Sequence, residues 1–552
     1  AVMSLPPHPI AEAHGAPFPE RMRLTCRNWA AGEHATPMGV IVFYWVKYAL
    51  LYIGGWALFV GFSRGDTPFT AVGEWAFTAD AFRKAVLWSL LYESLGFGGS
   101  FGPMNARLWP PMGGALYFLR PGSTKLPLFP GAPLIGADTR GGLDVVLYAA
   151  FMGACVWALV APTVTPALLL PVVILTAALG VLDKTTFLAA RSEHFFTSLL
   201  CLTVLDAGGP WVAACQVVWL GIWLWAGVSK MNHHFPSVIM VMMNNGPFFP
   251  QALKRRLFRA FPDDLRPSGF AIGMARMGTL IELSIPALLV LSPSPEFTFG
   301  ALCVMTVFHG YIALNNPSGM PIEWNIAMVY GGWFLFGVHP EASLAALLAH
   351  PALLAFLVVV MLAIPAYGNV VPSRVSFLLA MRYYAGNWAY TIWLFRGDSA
   401  AKLSKLKKAA GTLREQLEKL VPDENERHKT LMMTPAHRLL HLEGRPLHDA
   451  LPYVAPNLDD YEWMDGEVIG GAIIGWNFGD GHLNGAQLLA NVQRQCGFES
   501  GELRVVSIEG QPLFGRTMAW QVHDARDGLI ARGESEVAAM HDRQPWAFGQ
   551  PG

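Results

Sequence analysis

The sequence predicts a polytopic α-helical membrane protein with a C-terminal extramembrane α+β domain, and three observations carry the prediction. Hydrophobic residues make up 53% of the 552-residue chain and charged residues only 14%, against about 25% charged in an average soluble chain. Apolar runs long enough to cross a bilayer, roughly 20 residues each, recur between residues 39 and 367. After residue 396 the chain turns to charged, amphipathic and alternating patterns. The same balance removes nucleic acid from the partners, because the net charge is -1 and no basic run offers an electrostatic footprint. The 6 cysteines are scattered without paired spacing, so neither a disulfide framework nor a zinc motif follows.

In chain order, residues 1–38 are Pro-rich and polar and form an extramembrane or interfacial segment. Having no signal-peptide core, they leave the first apolar run as an uncleaved membrane helix. Residues 39–396 form the transmembrane domain. Its spans are expected near 39–62, 141–162, 166–187, 211–230, 270–292, 297–314, 322–338 and 346–367, with shorter runs at 81–98 and 194–205. That makes about eight to ten helices. The stretch 103–140 holds too many Pro and Gly residues for a regular helix and reads as an interfacial or re-entrant cap.

Residues 397–455 read as an amphipathic helical linker. Leu403, Leu406, Ala410, Leu413, Leu417 and Leu420 recur at helical spacing among charges. Residues 456–552 complete a small α+β domain, with strands expected at 468–475, 503–508, 518–523 and 529–537, a hairpin turn at Arg526-Asp527-Gly528 and a helix at 484–496. Helix 403–420 and the C-terminal domain are the surfaces for a protein partner. Basic residues near the helix ends place both termini in the cytoplasm.

Chemistry is expected where the apolar chain keeps charge. Residues 181–230 hold Asp183, Lys184, Arg191, His194, Asp206 and Lys230, and each ionisable group in hydrocarbon costs about 2.5–3.5 kcal/mol on insertion scales. Ala226-Gly227 is a small step that admits a close neighbour, followed by Lys230, His233 and His234. A lysine buried there could serve as a base; alternatively it ends its helix and snorkels to the headgroups. Glu282 lies inside an apolar run, with Arg276 as its expected partner. Glu93 and Glu323 pose the same question. His437 and His441 have metal-ligand spacing, but the histidine boxes of a membrane di-iron enzyme are missing, and no metal site is assigned.

These residues carry a resemblance. Leu182-Asp183-Lys184-Thr185 with His194, then Leu205-Asp206-Ala207, Ala226-Gly227-Val228-Ser229-Lys230-Met231, and Phe308-His309 with Gly319, Met320 and Pro321 follow in order. The set resembles the vitamin K-dependent gamma-carboxylase superfamily, which includes the bacterial horizontally transferred transmembrane domain proteins. The resemblance covers residues 39–396 and implies a reduced quinone as cofactor, Lys230 as the base that deprotonates it, and His194 as support for the anion. It also implies an extracytosolic C-terminal domain, against the charge count. The chain departs from the family in its longer spacing between Asp183 and His194 and in Ser192-Glu193 and Asn232-His233-His234.

Two classes of function follow. One is an integral membrane enzyme, in the bacterial inner membrane, acting on a quinone-like or lipidic substrate with Lys230, His194 and His309 as catalytic residues. Asp183, Lys184, Asp206, His233, His234 and Glu282 would then bind substrate. The other is a non-catalytic lipid- or quinone-binding scaffold or transporter-complex subunit that shares the fold. Membrane lipids and a quinone-like ligand are the partners in both. For the enzyme, Lys230, His194 and His309 should converge from three helices on a pocket opening laterally to lipid, roughly 300 Å³ or more.

Overall fold

The computed structural model describes residues 10–205, 208–315, 322–476 and 481–548. Among them, 6 helices are long and apolar enough to cross a membrane: Met38–Val60, Gly142–Val160, Trp211–Ser229, Gly269–Val290, Pro295–Leu314 and Pro351–Val370. Eight to ten spans were expected over the whole chain. The run at 166–187 ends as the helix Pro166–Leu182, because the Asp183 carboxylate accepts the Thr185 N–H and starts a new short helix, Lys184–Ala189. The run at 322–338 is the helix Ile322–Gly332 followed by a π-helical turn. Ala79–Ser94 and Thr197–Val204 are shorter than a span.

Trp211–Ser229 is the axis of the bundle, since 72% of its most apolar window is buried against 28–33% for the other five. Those five bury one face and leave residues such as Leu58, Trp157, Leu280 and Val307 exposed, as lipid-facing helices do. Gly227 lets the axis approach Gly269–Val290 closely: a Cβ there would lie 2.6 Å from Leu283 Cδ2. The small step in the sequence therefore sets a helix contact, and that contact brings Lys230 opposite Glu282.

The sheet reaches beyond residues 456–552, where its strands were expected. An antiparallel sheet runs in the order β4-β3-β5-β6-β7, where β3 is Tyr390–Arg396, β4 Tyr461–Asp465, β5 Leu503–Ile508, β6 Thr517–Asp524 and β7 Gly528–Glu536. β3 is flanked on both sides and nearly all buried, so the sheet reaches back before residue 397. Two short strands, β1 (Phe258–Ala260) and β2 (Asp264–Pro267), pair separately. The N-terminal helix Phe18–Ala31 joins this layer, sharing a core in which Phe18, Met22 and Trp29 meet Met240, Tyr390, Leu439 and Trp520.

Two local expectations are corrected. The strand expected at 468–475 is the helix Gly466–Ile473, started by Asp465, whose carboxylate accepts the Glu467 N–H. The helix expected over 403–420 is interrupted: Gly397–Lys405 is a 3₁₀ segment, and a new helix begins at Leu413 behind a Thr412/Glu415 capping box. The hairpin turn at 526–528 and the strands at 503–508, 518–523 and 529–537 are present.

Residues 103–140 have little regular structure, with cis Trp109-Pro110 and short turns. This cap lies between the bundle and the C-terminal domain. Asn491 donates to the Lys125 and Asp138 carbonyls, Gln416 accepts from the Leu108 and Trp109 N–H groups, and Tyr117 donates to the Ile473 carbonyl. Buried Lys125–Asp144 (2.5 Å) and Arg140–Asp183 pairs pin it to the helices.

Candidate functional site

Lys230 follows the last turn of the axis helix, where its carbonyl end favours a cation. Its ammonium donates to the Glu282 carboxylate, and both side chains are about 5% exposed. Glu282 thus has a polar partner inside the bundle, but that partner is Lys230 and not Arg276, which donates to the Met231 carbonyl instead. Lys230 also lies 5.5 Å from the Phe235 ring centroid and 5.8 Å from that of Phe308. It does not snorkel.

Trp223 stands seven residues before Lys230 and so on the same helix face. Its indole N–H donates to His309 Nε2 at 3.0 Å, and His309 Nδ1 meets Asn325 Oδ1 at 2.8 Å. Indole nitrogen can only donate, so Nε2 is the accepting nitrogen and the ring proton sits on Nδ1, donated to Asn325. Both imidazole nitrogens of His309 are committed.

His194 sits in a π-helical turn after Arg191, whose φ of 54° is left-handed. Trp324 donates to His194 Nδ1 at 2.9 Å, which leaves the proton on Nε2. Asn325 and Trp324 are adjacent on the helix Ile322–Gly332, so one helical turn orients both histidines.

A cavity of about 120 Å³ is lined by Lys230, Glu282, His309, Asn325 and Trp324, with Phe235, Met242, Met243, Tyr383, Tyr384 and Trp388 making the rest aromatic or apolar. Lys230 and His309 meet there from different helices. His194 does not line it, and touches it only through Trp324. The cavity is smaller than the volume a ring-sized ligand calls for, because Trp324 and Tyr384 stack face to face across it, centroids 3.5 Å apart. At this volume it does not fit a reduced quinone.

The other sequence candidates lie elsewhere. Asp183 caps a helix and pairs with Arg140, and Lys184 donates to Gln487 at 2.6 Å, both at the junction with the cap and the C-terminal domain. His233 N–H donates to the Gln511 side chain. His234 Nε2 bonds the Ala385 carbonyl, and burial, reinforced by Arg382 and His441, pushes its imidazole down to about 3. Asp206, with Gly319, Met320 and Pro321, lies outside the described residues. Beside the cavity Trp388 stacks on His437 and packs edge-on against His441. Among the described residues no group of His, Cys, Asp and Glu is arranged to hold a metal ion.

Sequence reasoning missed Trp223, Trp324 and Asn325. A signal existed in Glu323-Trp324-Asn325, three polar or half-polar residues opening an apolar helix, and in the seven-residue spacing of Trp223 and Lys230.

Among the described residues, six apolar helices around a buried ion pair, joined to a mixed sheet and helix region, mark an integral membrane protein. The chain belongs to the family described as transmembrane protein of unknown function (DUF3556), whose profile matches residues 2–551. No curated protein and no solved structure matches. The comparisons give no support to the carboxylase relationship that the motifs suggested.

Proposed function

We propose that this membrane protein binds an amphiphile of the bilayer whose small, hydrogen-bonding head is received beside Lys230 and Glu282. The observation that carries the reading is one buried ion pair in the wall of a cavity otherwise aromatic and apolar. Such a lining suits a lipidic ligand with few polar atoms, and a cavity of about 120 Å³ suits a head group smaller than a quinone ring system. Turnover with Lys230 as base is the weaker reading. The Lys230 nitrogen is engaged by the Glu282 carboxylate, and both nitrogens of His309 are engaged by Trp223 and Asn325, so none is free for an oxyanion.

The test is mass spectrometry of lipids retained by the protein purified in mild detergent. Wild type should keep a defined lipid class that the double variant Lys230→Met/Glu282→Leu loses while remaining folded. An unchanged lipid complement in the folded double variant sinks the proposal.

A further inference from the structure

A second polar cluster lies within the bundle and takes no part in the cavity. Glu93, near the end of the helix Ala79–Ser94, and Glu323, in the first turn of Ile322–Gly332, are both 0–1% exposed. Their carboxyl groups crowd the same face of Gly98: a Cβ there would lie 2.1 Å from Glu93 Oε2 and 2.9 Å from Glu323 Oε1. Gly98 is bare so that the two acids can meet.

Other groups reach this point from every neighbouring element. The Gly99 N–H donates to Glu323 Oε1 at 2.9 Å. Arg191 approaches Glu93 Oε1 at 3.6 Å and also donates to Ser100. From the first span, Lys47 reaches the Gly98 carbonyl at 3.4 Å and lies 4.2 Å from the Tyr44 ring centroid. Tyr48 lies within side-chain hydrogen-bonding reach of Glu323, and Tyr52 and Tyr383 stand within electrostatic reach of both carboxyls. Tyr92 is fully buried beside both carboxyls, and its hydroxyl has no partner among the described residues.

The facing oxygen Glu93 Oε2 receives no donor among the described residues. Glu93 Oε2 thus meets the Glu323 carboxylate with no donor of its own; two such carboxylates repel each other, and in a water-poor interior Glu93 takes up a proton. That proton supplies the missing hydrogen bond. Two cations, Arg191 and Lys47, lie within reach of the pair, and at Glu93 burial and the facing Glu323 outweigh them.

We infer that Glu93 and Glu323 form an intramembrane proton-binding site, a carboxyl–carboxylate pair sharing one proton at neutral pH. Intramembrane acids paired in this way are the usual elements of proton relays. Glu323 precedes Trp324 and Asn325, which orient His194 and His309, so one helix turn carries both the proton site and the supports of the cavity. The inference does not depend on what the cavity binds.

Infrared spectroscopy of the full-length protein in lipid nanodiscs tests it, reading the C=O stretch of protonated carboxylic acid at pH 7 in H₂O and in D₂O. Wild type should show such a band, shifted in D₂O, that is lost in both Glu93→Gln and Glu323→Gln and retained in Glu282→Gln. The amide variants lose it because the remaining carboxylate keeps a cation and loses its like-charged neighbour: Arg191 for Glu93, Lys47 for Glu323. Should either amide variant fail to fold, Glu93→Asp and Glu323→Asp keep the acid and must each move the band. A spectrum without the band, or a band that ignores substitutions at both positions, overturns the inference.

Discussion

Removing the carboxylate of Glu282 leaves the Lys230 ammonium buried without its partner. Glu282→Ala should therefore cost about 3–5 kcal/mol, the range for breaking a buried ion pair. The upper half of that range is expected here. Both side chains are about 5% exposed, Glu282 is the sole anion in contact with the Lys230 ammonium among the described residues, and the Phe235 and Phe308 rings offer only cation–π attraction. The double variant Lys230→Met/Glu282→Leu removes both charges and fills similar volume, so it should recover most of the loss and come within about 1–2 kcal/mol of wild type. Equilibrium unfolding in mixed micelles, run as a double-mutant cycle, measures both. A cost below about 1 kcal/mol for Glu282→Ala, or a double variant as damaged as the sum of the singles, would refute the buried pair and the cavity wall built on it.

Asn325→Leu leaves the His309 Nδ1–H unsatisfied in the bundle and should destabilise by about 1–3 kcal/mol, seen as a lowered unfolding midpoint with the lipid complement weakened. In the layer that holds the sheet, Arg438 makes a buried two-pronged pair with Asp465 at 2.7 and 3.1 Å; Asp465→Ala should cost about 3 kcal/mol or more and speed hydrogen exchange in the helices Glu424–Leu440 and Gly466–Ile473. Acid should loosen the same layer. Burial pushes His34 down to about 4 and His441 and His448 down to about 3. Between pH 6.5 and those values the unfolded chain binds more protons than the folded one. Stability is then full above pH 6.5 and falls as pH drops, by up to about 1.4 kcal/mol per pH unit for each histidine. A flat stability profile from pH 7 to pH 5 would count against their burial. Gly98→Ala drives a methyl into both Glu93 and Glu323, and should destabilise by about 1–3 kcal/mol, as read by thermal unfolding.

Membrane class, the cap at 103–140 and most C-terminal strands were legible along the chain because each rests on local composition. A run of apolar residues needs no distant partner to favour the bilayer, and the prolines of 103–140 forbid a helix wherever they lie. Lys230 and Glu282 were legible as buried charges for the same reason, since their cost follows from the apolar residues on either side.

Their pairing was not legible. Arg276 is nearer to Glu282 in sequence, but it points to the Met231 carbonyl, while Lys230 arrives from another helix because Gly227 lets the two backbones approach. The helix at 466–473 shows the same division. Its β-branched residues suit a strand, yet Asp465 caps a helix there, and Gly466 lies so close that a Cβ would be 1.9 Å from Thr391 Oγ1 of β3. Composition by itself determined which residues must leave water and which charges had to find a partner. Only the tertiary structure decided which partner each one met, because a buried charge is satisfied by whatever packing places within reach, and packing depends on contacts hundreds of residues apart.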